Sequence, residues 1–265
     1  MLVDGKLIAE NIYCELEARK NLVEKRVCFV SFMDSPESQK FMEIKQRAGK
    51  RLGVQTEIIK HQVMDTSEAL NILNEIISQN YDGIVIQLPL PAEIDTEKIL
   101  DQIPAEMDID LLGTKAKQQY AEGKSKRTPP VAGAVEEIFK HHRVDLPGRH
   151  GVLLGKGLLV GEPTAVWLNH QNLDFVNHDI ETPTEQLLTD LKIADIIITG
   201  IGKPHFIKPE MIKSNVVIID AGTSLKDGKL AGDADSACAE ISSLFTPVPG
   251  GVGPITIATL FRNLC

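Results

Sequence analysis

Residues 151–161 read Gly151-Val152-Leu153-Leu154-Gly155-Lys156-Gly157-Leu158-Leu159-Val160-Gly161. A short apolar run gives way to closely spaced glycines and then to helical periodicity, so the stretch predicts a strand, a tight turn and the start of a helix. Glycines at such a turn let the backbone approach a pyrophosphate, and the first amide groups of the helix stabilise its charge. The spacing is G-x-G-x-x-x-G, one residue longer than the common dinucleotide fingerprint. A glycine-rich strand-to-helix turn that binds nothing therefore stays open as the alternative reading.

Working outward, further strands are expected at 174–178, 195–199 and 216–220, and a helix at 132–141 precedes the quoted stretch. Nearer the start, Leu7, Ile8, Ile12, Leu16, Leu22 and Val23 recur at helical spacing and lead into a β-branched and aromatic run at 26–32. A helix at 41–52 ends at Gly53, a strand follows at 54–59, a helix at 66–79 has Thr66 as its N-cap, and a strand occupies 83–88. Helices alternating with strands predict mainly parallel sheets covered on both faces. Between residues 104 and 130 the periodicity weakens, and Lys124-Ser125-Lys126-Arg127 is basic and turn-rich. That segment predicts a surface connection to a domain boundary, giving an α/β fold class with two domains in series.

Composition limits what such a protein does. The chain has 265 residues, 43% hydrophobic and 25% charged, enough to bury a sizeable core. With 37 acidic against 28 basic side chains, its net charge of −9 argues against a broad nucleic-acid or anionic-membrane surface. No apolar run approaches the roughly 18 residues of a membrane helix, and residues 1–6 lack the features of a secretory signal. A cytoplasmic protein that handles small molecules is expected. Cys14, Cys28, Cys238 and Cys265 form no C-x-x-C pair, and His141, His142 and His150 have no carboxylate or thiol at ligand spacing. Neither a disulfide frame nor a metal site is expected.

Several residues invite a chemical reading. Asp179 follows the strand after the glycine turn, where an acid accepts hydrogen bonds from the adenine ribose and repels the extra phosphate of NADP. If that is its role, NAD is preferred; the alternative is that it merely begins a loop. Lys45 sits in a helix with Phe41, Ile44 and Ala48 on its apolar face, and spacing alone leaves it an ordinary solvated lysine. Gln87 is a polar residue at the end of an apolar strand, where an amide needs partners and ligands gather. Asp108 and Asp110 fall on the weakly structured connection, where a solvated acidic loop is the plain reading. Thr246-Pro247-Val248-Pro249-Gly250-Gly251-Val252-Gly253-Pro254 has the restricted backbone that suits contact with a flat ligand.

This last segment, with the Ile-Thr-Ile-Ala-Thr-Leu that follows, resembles the C-terminal signature of the bifunctional methylenetetrahydrofolate dehydrogenase/cyclohydrolases, the FolD family. Ile84-Val85-Ile86-Gln87-Leu88-Pro89-Leu90-Pro91 resembles that family's V-Q-L-P-L-P strand end. Asp108-Ile109-Asp110 is similar to its K-D-V-D-G segment, and Gly155 to Pro163 to its G-R-S-x-x-V-G-x-P turn. Ala194 to Pro204 is similar to its A-D-I-x-I-x-A-x-G-x-P strand, and Gly232-Asp233-Ala234-Asp235 to G-D-V-D. The pieces stand in family order across nearly the whole chain.

The resemblance implies two domains with a cleft between them: a folate-site domain of residues 1–131 plus 256–265, and a Rossmann-like NAD(P)-binding domain of residues 132–255. It implies that Lys45, Gln87 and Asp110 are catalytic, with Gln87 supporting the lysine and Asp110 holding the pterin. Phe41, Asp108, Pro249, Gly250 and Gly251 would contact the folate. Gly155, Lys156, Gly157, Gly161, Asp179, Gly200 and Gly222 would contact the cofactor, NADP by family resemblance or NAD by the argument from Asp179. The implied activity is oxidation of methylenetetrahydrofolate followed by hydrolysis of the methenyl product to formyltetrahydrofolate, with tetrahydrofolate derivatives as ligands and a homodimer as the assembly. Phe41 stands where the family has tyrosine, Met107 where it has lysine and Leu111 where it has glycine. The missing tyrosine hydroxyl leaves a monofunctional dehydrogenase as one alternative, and the altered positions leave a catalytically silent binding homologue as another.

Overall fold

The computed structural model describes residues 1–33, 35–226 and 228–265. Its first elements are α1 (Gly5–Glu17), β1 (Arg26–Ser31), α2 (Pro36–Arg51), β2 (Gln55–Lys60), α3 (Thr66–Ile77), β3 (Gly83–Ile86), α4 (Thr96–Gln102) and α5 (Thr114–Ala121). There follow α6 (Pro130–His142), β4 (His150–Leu154), α7 (Gly161–His170), β5 (Asp174–His178), α8 (Thr184–Ile193), β6 (Ile196–Thr199) and β7 (Val217–Asp220). The last are β8 (Ser224–Lys226), β9 (Lys229–Ala231), β10 (Leu244–Phe245) and α9 (Val252–Arg262). The chain forms two units, one of Ile12–Pro129 with Ile257–Cys265, the other of Met1–Asn11 with Pro130–Thr256. Among the described residues, no helix is long and apolar enough to cross a membrane.

The first of these units carries a parallel sheet in the order β2-β1-β3. Central β1 is buried from Val27 through Val30, as a parallel strand with both faces covered requires. Pro36 opens α2, and the Ser35 side chain accepts from Ser38 N to cap it. For α3 the cap is Asp65, one residue before the expected Thr66: Asp65 Oδ1 accepts from Glu68 N at 2.9 Å, while Thr66 Oγ1 accepts from Asp95 N at 2.8 Å. Both side chains are competent caps, so local sequence could not choose between them. Phe261 of α9 is fully buried against α2, where a Cβ on Gly49 would lie 3.1 Å from the Phe261 ring and 2.4 Å from Thr56 Cγ2.

Residues 104–130 differ from the expected surface connection. Ile84 N donates to Met107 O at 2.8 Å, and Ile84 and Asp108 form a parallel bridge, so the segment extends the sheet beside β3. Asp108, Ile109, Leu111 and Leu112 are all buried. The segment packs through individual backbone bonds rather than a repeating element, so no hydrophobic period marked it in the sequence.

The other unit is built on a five-stranded parallel sheet in the order β10-β7-β6-β4-β5. The chain leaves β4 for β5 on one side and returns to β6 on the other, which makes the C-terminal end of β4 a topological switch point where ligands bind in such sheets. Val152, Leu154, Ile197, Ile218, Leu191 and Phe245 form part of its buried core. The first residues of the chain belong to this unit: Val3 N donates to Phe245 O at 2.9 Å and Gly5 N to Gly250 O at 3.0 Å.

Candidate active site

Lys45 lies in the third turn of α2, and Gln87 follows the last residue of β3. Gln87 N donates to Val30 O at 2.8 Å, which keeps the residue in register at the C-terminal edge of the sheet. Its amide is oriented from both ends, because Nε2 donates to Leu88 O at 2.8 Å and Oε1 accepts from Lys45 Nζ at 3.2 Å. The amine also stands 6.0 Å from the centre of the buried Phe29 ring. Burial lowers the Lys45 pKa from its ordinary value, against the opposing pull of the Asp110 carboxylate. Burial raises Asp110 in turn, and Lys45 counteracts it. Structure thus brings Lys45, Gln87 and Asp110 together, and converts the solvated lysine suggested by spacing alone into a desolvated amine facing an acid. Phe41, one turn before Lys45, is 36% exposed.

Asp110 is positioned by its neighbours. Asp108 Oδ2 accepts from Gly113 N at 2.8 Å, and the carboxylate also takes the backbone amides of Leu111 and Leu112. Burial nevertheless pushes the Asp108 carboxyl up to about 6. On the other side, Asn263 Nδ2 donates to Ile109 O at 2.8 Å and to Thr128 O at 2.9 Å, and its Oδ1 accepts from Thr128 N at 3.2 Å. Nothing in the sequence singled out Asn263. Leu111 adopts a φ of +56°, a left-handed conformation that suits the glycine of the resembling motif.

In the other unit, Gly155 follows β4 with a φ of +105°. A Cβ on Gly155 would lie 3.2 Å from Gly200 O, so the turns after β4 and β6 touch. At Gly161, the first residue of α7, a Cβ would sit 2.0 Å from Gly155 O, whereas Gly157 has nothing within 4 Å. A helix start packed onto the turn, with an open glycine backbone between, fits the pyrophosphate of a dinucleotide at the switch point. Lys156 Nζ donates to Asp179 Oδ2 at 2.6 Å beside this turn. Pro249, Gly250 and Gly251 lie in the loop before α9; Gly250 has a φ of +106°, and Gly251 N donates to Pro247 O at 2.7 Å.

Two buried acids, Asp220 and Asp233, brace the same unit and had no role assigned from the sequence, although Asp233 falls in a quoted motif. Asp233 Oδ2 accepts from Thr199 Oγ1 and Ile201 N, each at 2.8 Å, and Oδ1 from Lys203 N at 2.8 Å. Asp220 accepts from Gly222 N at 2.9 Å and Ala234 N at 2.8 Å. A Cβ on Gly222 would collide with the Asp233 carboxylate at 2.3 Å. The pair therefore fixes the turns that carry Gly200 and Gly222.

Comparison with known proteins agrees with both halves of this description. Residues 3–110 match the catalytic domain of tetrahydrofolate dehydrogenase/cyclohydrolase, and residues 129–265 match its NAD(P)-binding domain. The chain is 35% identical over 272 residues to the bifunctional protein FolD of Campylobacter hominis, covering 99% of this chain and 95% of that one. Among solved structures, the bifunctional enzyme FolD of Campylobacter jejuni superposes with a TM-score of 0.92 at 29% identity, over 100% of this chain and 96% of that one. The Trypanosoma brucei FolD, complexed with NADP and an inhibitor, gives 0.93 at 26% identity, over 100% and 95%. A partly buried lysine–glutamine–aspartate group in one unit, a glycine turn at the switch point of the other and full-length similarity in the same order place the chain in the tetrahydrofolate dehydrogenase/cyclohydrolase family.

Proposed function

We propose that this chain oxidises methylenetetrahydrofolate to methenyltetrahydrofolate with NAD(P) and hydrolyses the methenyl form to formyltetrahydrofolate. The observation that carries the reading is the 3.2 Å contact from the desolvated Lys45 amine to Gln87, with the Asp110 carboxylate beside it. A lysine whose charged form is penalised by burial gives up its proton more readily than a solvated one and so serves better as a base. That amine accepts the proton shed by the water as its oxygen bonds to the cationic methenyl carbon; one C–N bond at that carbon then breaks, its electron pair stays on the nitrogen, which takes the hydroxyl proton, and the formyl C=O remains. Gln87 holds Nζ in place, and Asp110 accepts hydrogen bonds from the pterin N–H groups. Phe41 offers no hydroxyl, so the proton transfer falls to Lys45 itself.

When bound, the nicotinamide supplies the hydride acceptor. Gly157 leaves room for the pyrophosphate, Gly155 and Gly161 let the turn pack closely on Gly200 and on the helix start, and Asp220 and Asp233 hold the adjoining turns at Gly200 and Gly222. Asp108 acts as a brace for the segment that carries Asp110, and family resemblance is what assigns Pro249, Gly250 and Gly251 to contact with the folate. Family resemblance supports a homodimer.

The test is direct. Purified protein given methylenetetrahydrofolate with NAD or NADP is expected to form reduced nucleotide and, subsequently, formyltetrahydrofolate. Absence of nucleotide reduction with either cofactor contradicts the reading.

A further inference from the structure

Strands β4 and β5 are parallel neighbours with Leu154 opposite His178, so the residues just beyond their ends leave the sheet side by side. Lys156 and Asp179 meet there at 2.6 Å, with side chains 57% and 28% exposed. The carboxylate is anchored on its other oxygen, where Oδ1 accepts from Glu181 N at 3.0 Å and from Thr182 Oγ1 at 3.3 Å. Asp179 N in turn donates to Thr182 Oγ1 at 3.1 Å. The hydrogen bond from Lys156 is the chief reason that the carboxyl stays below its ordinary range and charged. Lys156 is thus committed to a fixed anion instead of being available to a phosphate.

The surrounding sequence supplies no replacement cation. Residues 157–191 contain no lysine or arginine but carry six acidic side chains, among them Glu181 beside Asp179. Lys203 follows β6, which lies on the far side of β4 from β5. A 2′-phosphate carries close to two negative charges and needs an excess of positive charge. A vicinal diol needs only an acceptor and a donor close together, because each hydroxyl both gives and takes a hydrogen bond.

We propose that the Lys156–Asp179 pair is a specificity-determining element that selects NAD over NADP, with Asp179 accepting from the adenine-ribose diol and Lys156 donating to it. This rests on the nucleotide-binding reading of the β4–α7 turn and narrows it to one cofactor. The pair does so by charge balance: Asp179 cancels the charge of Lys156, so that the pair offers no net attraction to the extra phosphate.

Isothermal titration of the full chain with NAD and with NADP, for the parent protein and for Asp179→Ser and Lys156→Gln, tests this without recourse to turnover. The parent is expected to bind NAD about tenfold or more tightly than NADP. Asp179→Ser frees the lysine and is expected to strengthen NADP binding about tenfold, while Lys156→Gln exposes the acid and weakens NADP more than NAD. Equal or tighter binding of NADP by the parent, or an unchanged NAD-to-NADP ratio in Asp179→Ser, overturns the proposal while leaving the nucleotide site intact. Binding of neither nucleotide by the parent overturns both.

Discussion

Asn263, near the end of the chain, donates through Nδ2 to the carbonyl of Ile109 at 2.8 Å, the residue immediately before Asp110. The same amide closes two more bonds with Thr128, so three backbone groups depend on one side chain that is 5% exposed. Asn263→Ala leaves buried carbonyls unpaired and is expected to destabilise the protein by about 1–3 kcal/mol. Chemical denaturation measures this, and a change within experimental error of zero contradicts the bracing role.

Asp110 raises the Lys45 pKa by its charge, in opposition to burial. Replacing it with Asn removes that support, so the lysine pKa falls further and its neutral form persists to lower pH. The rising limb of the kcat profile for methenyl hydrolysis is therefore expected to move to lower pH in Asp110→Asn. A shift in the opposite direction rules out Lys45 as the titrating base.

Two glycines of one turn are expected to respond differently. Gly161→Ala drives a Cβ to 2.0 Å from a backbone oxygen, and the clash is expected to cost about 1–3 kcal/mol of stability. Gly157→Ala meets nothing within 4 Å, so its thermal midpoint is expected to stay unchanged. Its Cβ instead fills space that the pyrophosphate needs, and nucleotide binding weakens. Titration calorimetry together with thermal melts separates the two effects.

Burial, reinforced by the charge of Asp233 and opposed by backbone amides, pushes the Asp220 carboxyl up to about 7. Unfolded, the group titrates near its ordinary value of about 4. The folded state thus retains a proton that the unfolded state releases, so this group's stabilising contribution is full below pH 4 and is lost as pH rises through about 7. Asp220→Asn carries a constant cost from its amide facing backbone N–H groups. On top of that cost, the stability of the variant relative to the parent is expected to improve as pH rises from 4 to 7, which melts at matched ionic strength can follow. A pH-independent difference contradicts the raised carboxyl.

The glycine turn at 155–161 was legible because a composition signal and a change of period fell on the same residues, and the strand boundaries around it shifted by only a residue. The environment of Lys45 was legible only through family resemblance. Helical spacing says which face a lysine occupies, not whether a glutamine 42 positions later will reach it. Asp220 and Asp233 escaped notice because acids at strand ends ordinarily face water, and their donors come from separate turns. Residues 104–112 carried no period at all, since their burial depends on pairing with β3 rather than on a regular element of their own.

In the proposed reaction the Lys45 amine moves the proton in the hydrolytic step. The most direct measurement is the rate of methenyltetrahydrofolate hydrolysis by Lys45→Met, with nucleotide binding by the same preparation as the check on folding. Hydrolysis is expected to fall by about 10²–10⁴-fold, the usual worth of a positioned general base, with nucleotide affinity unchanged. Hydrolysis at the parental rate in a variant that binds nucleotide normally would contradict it.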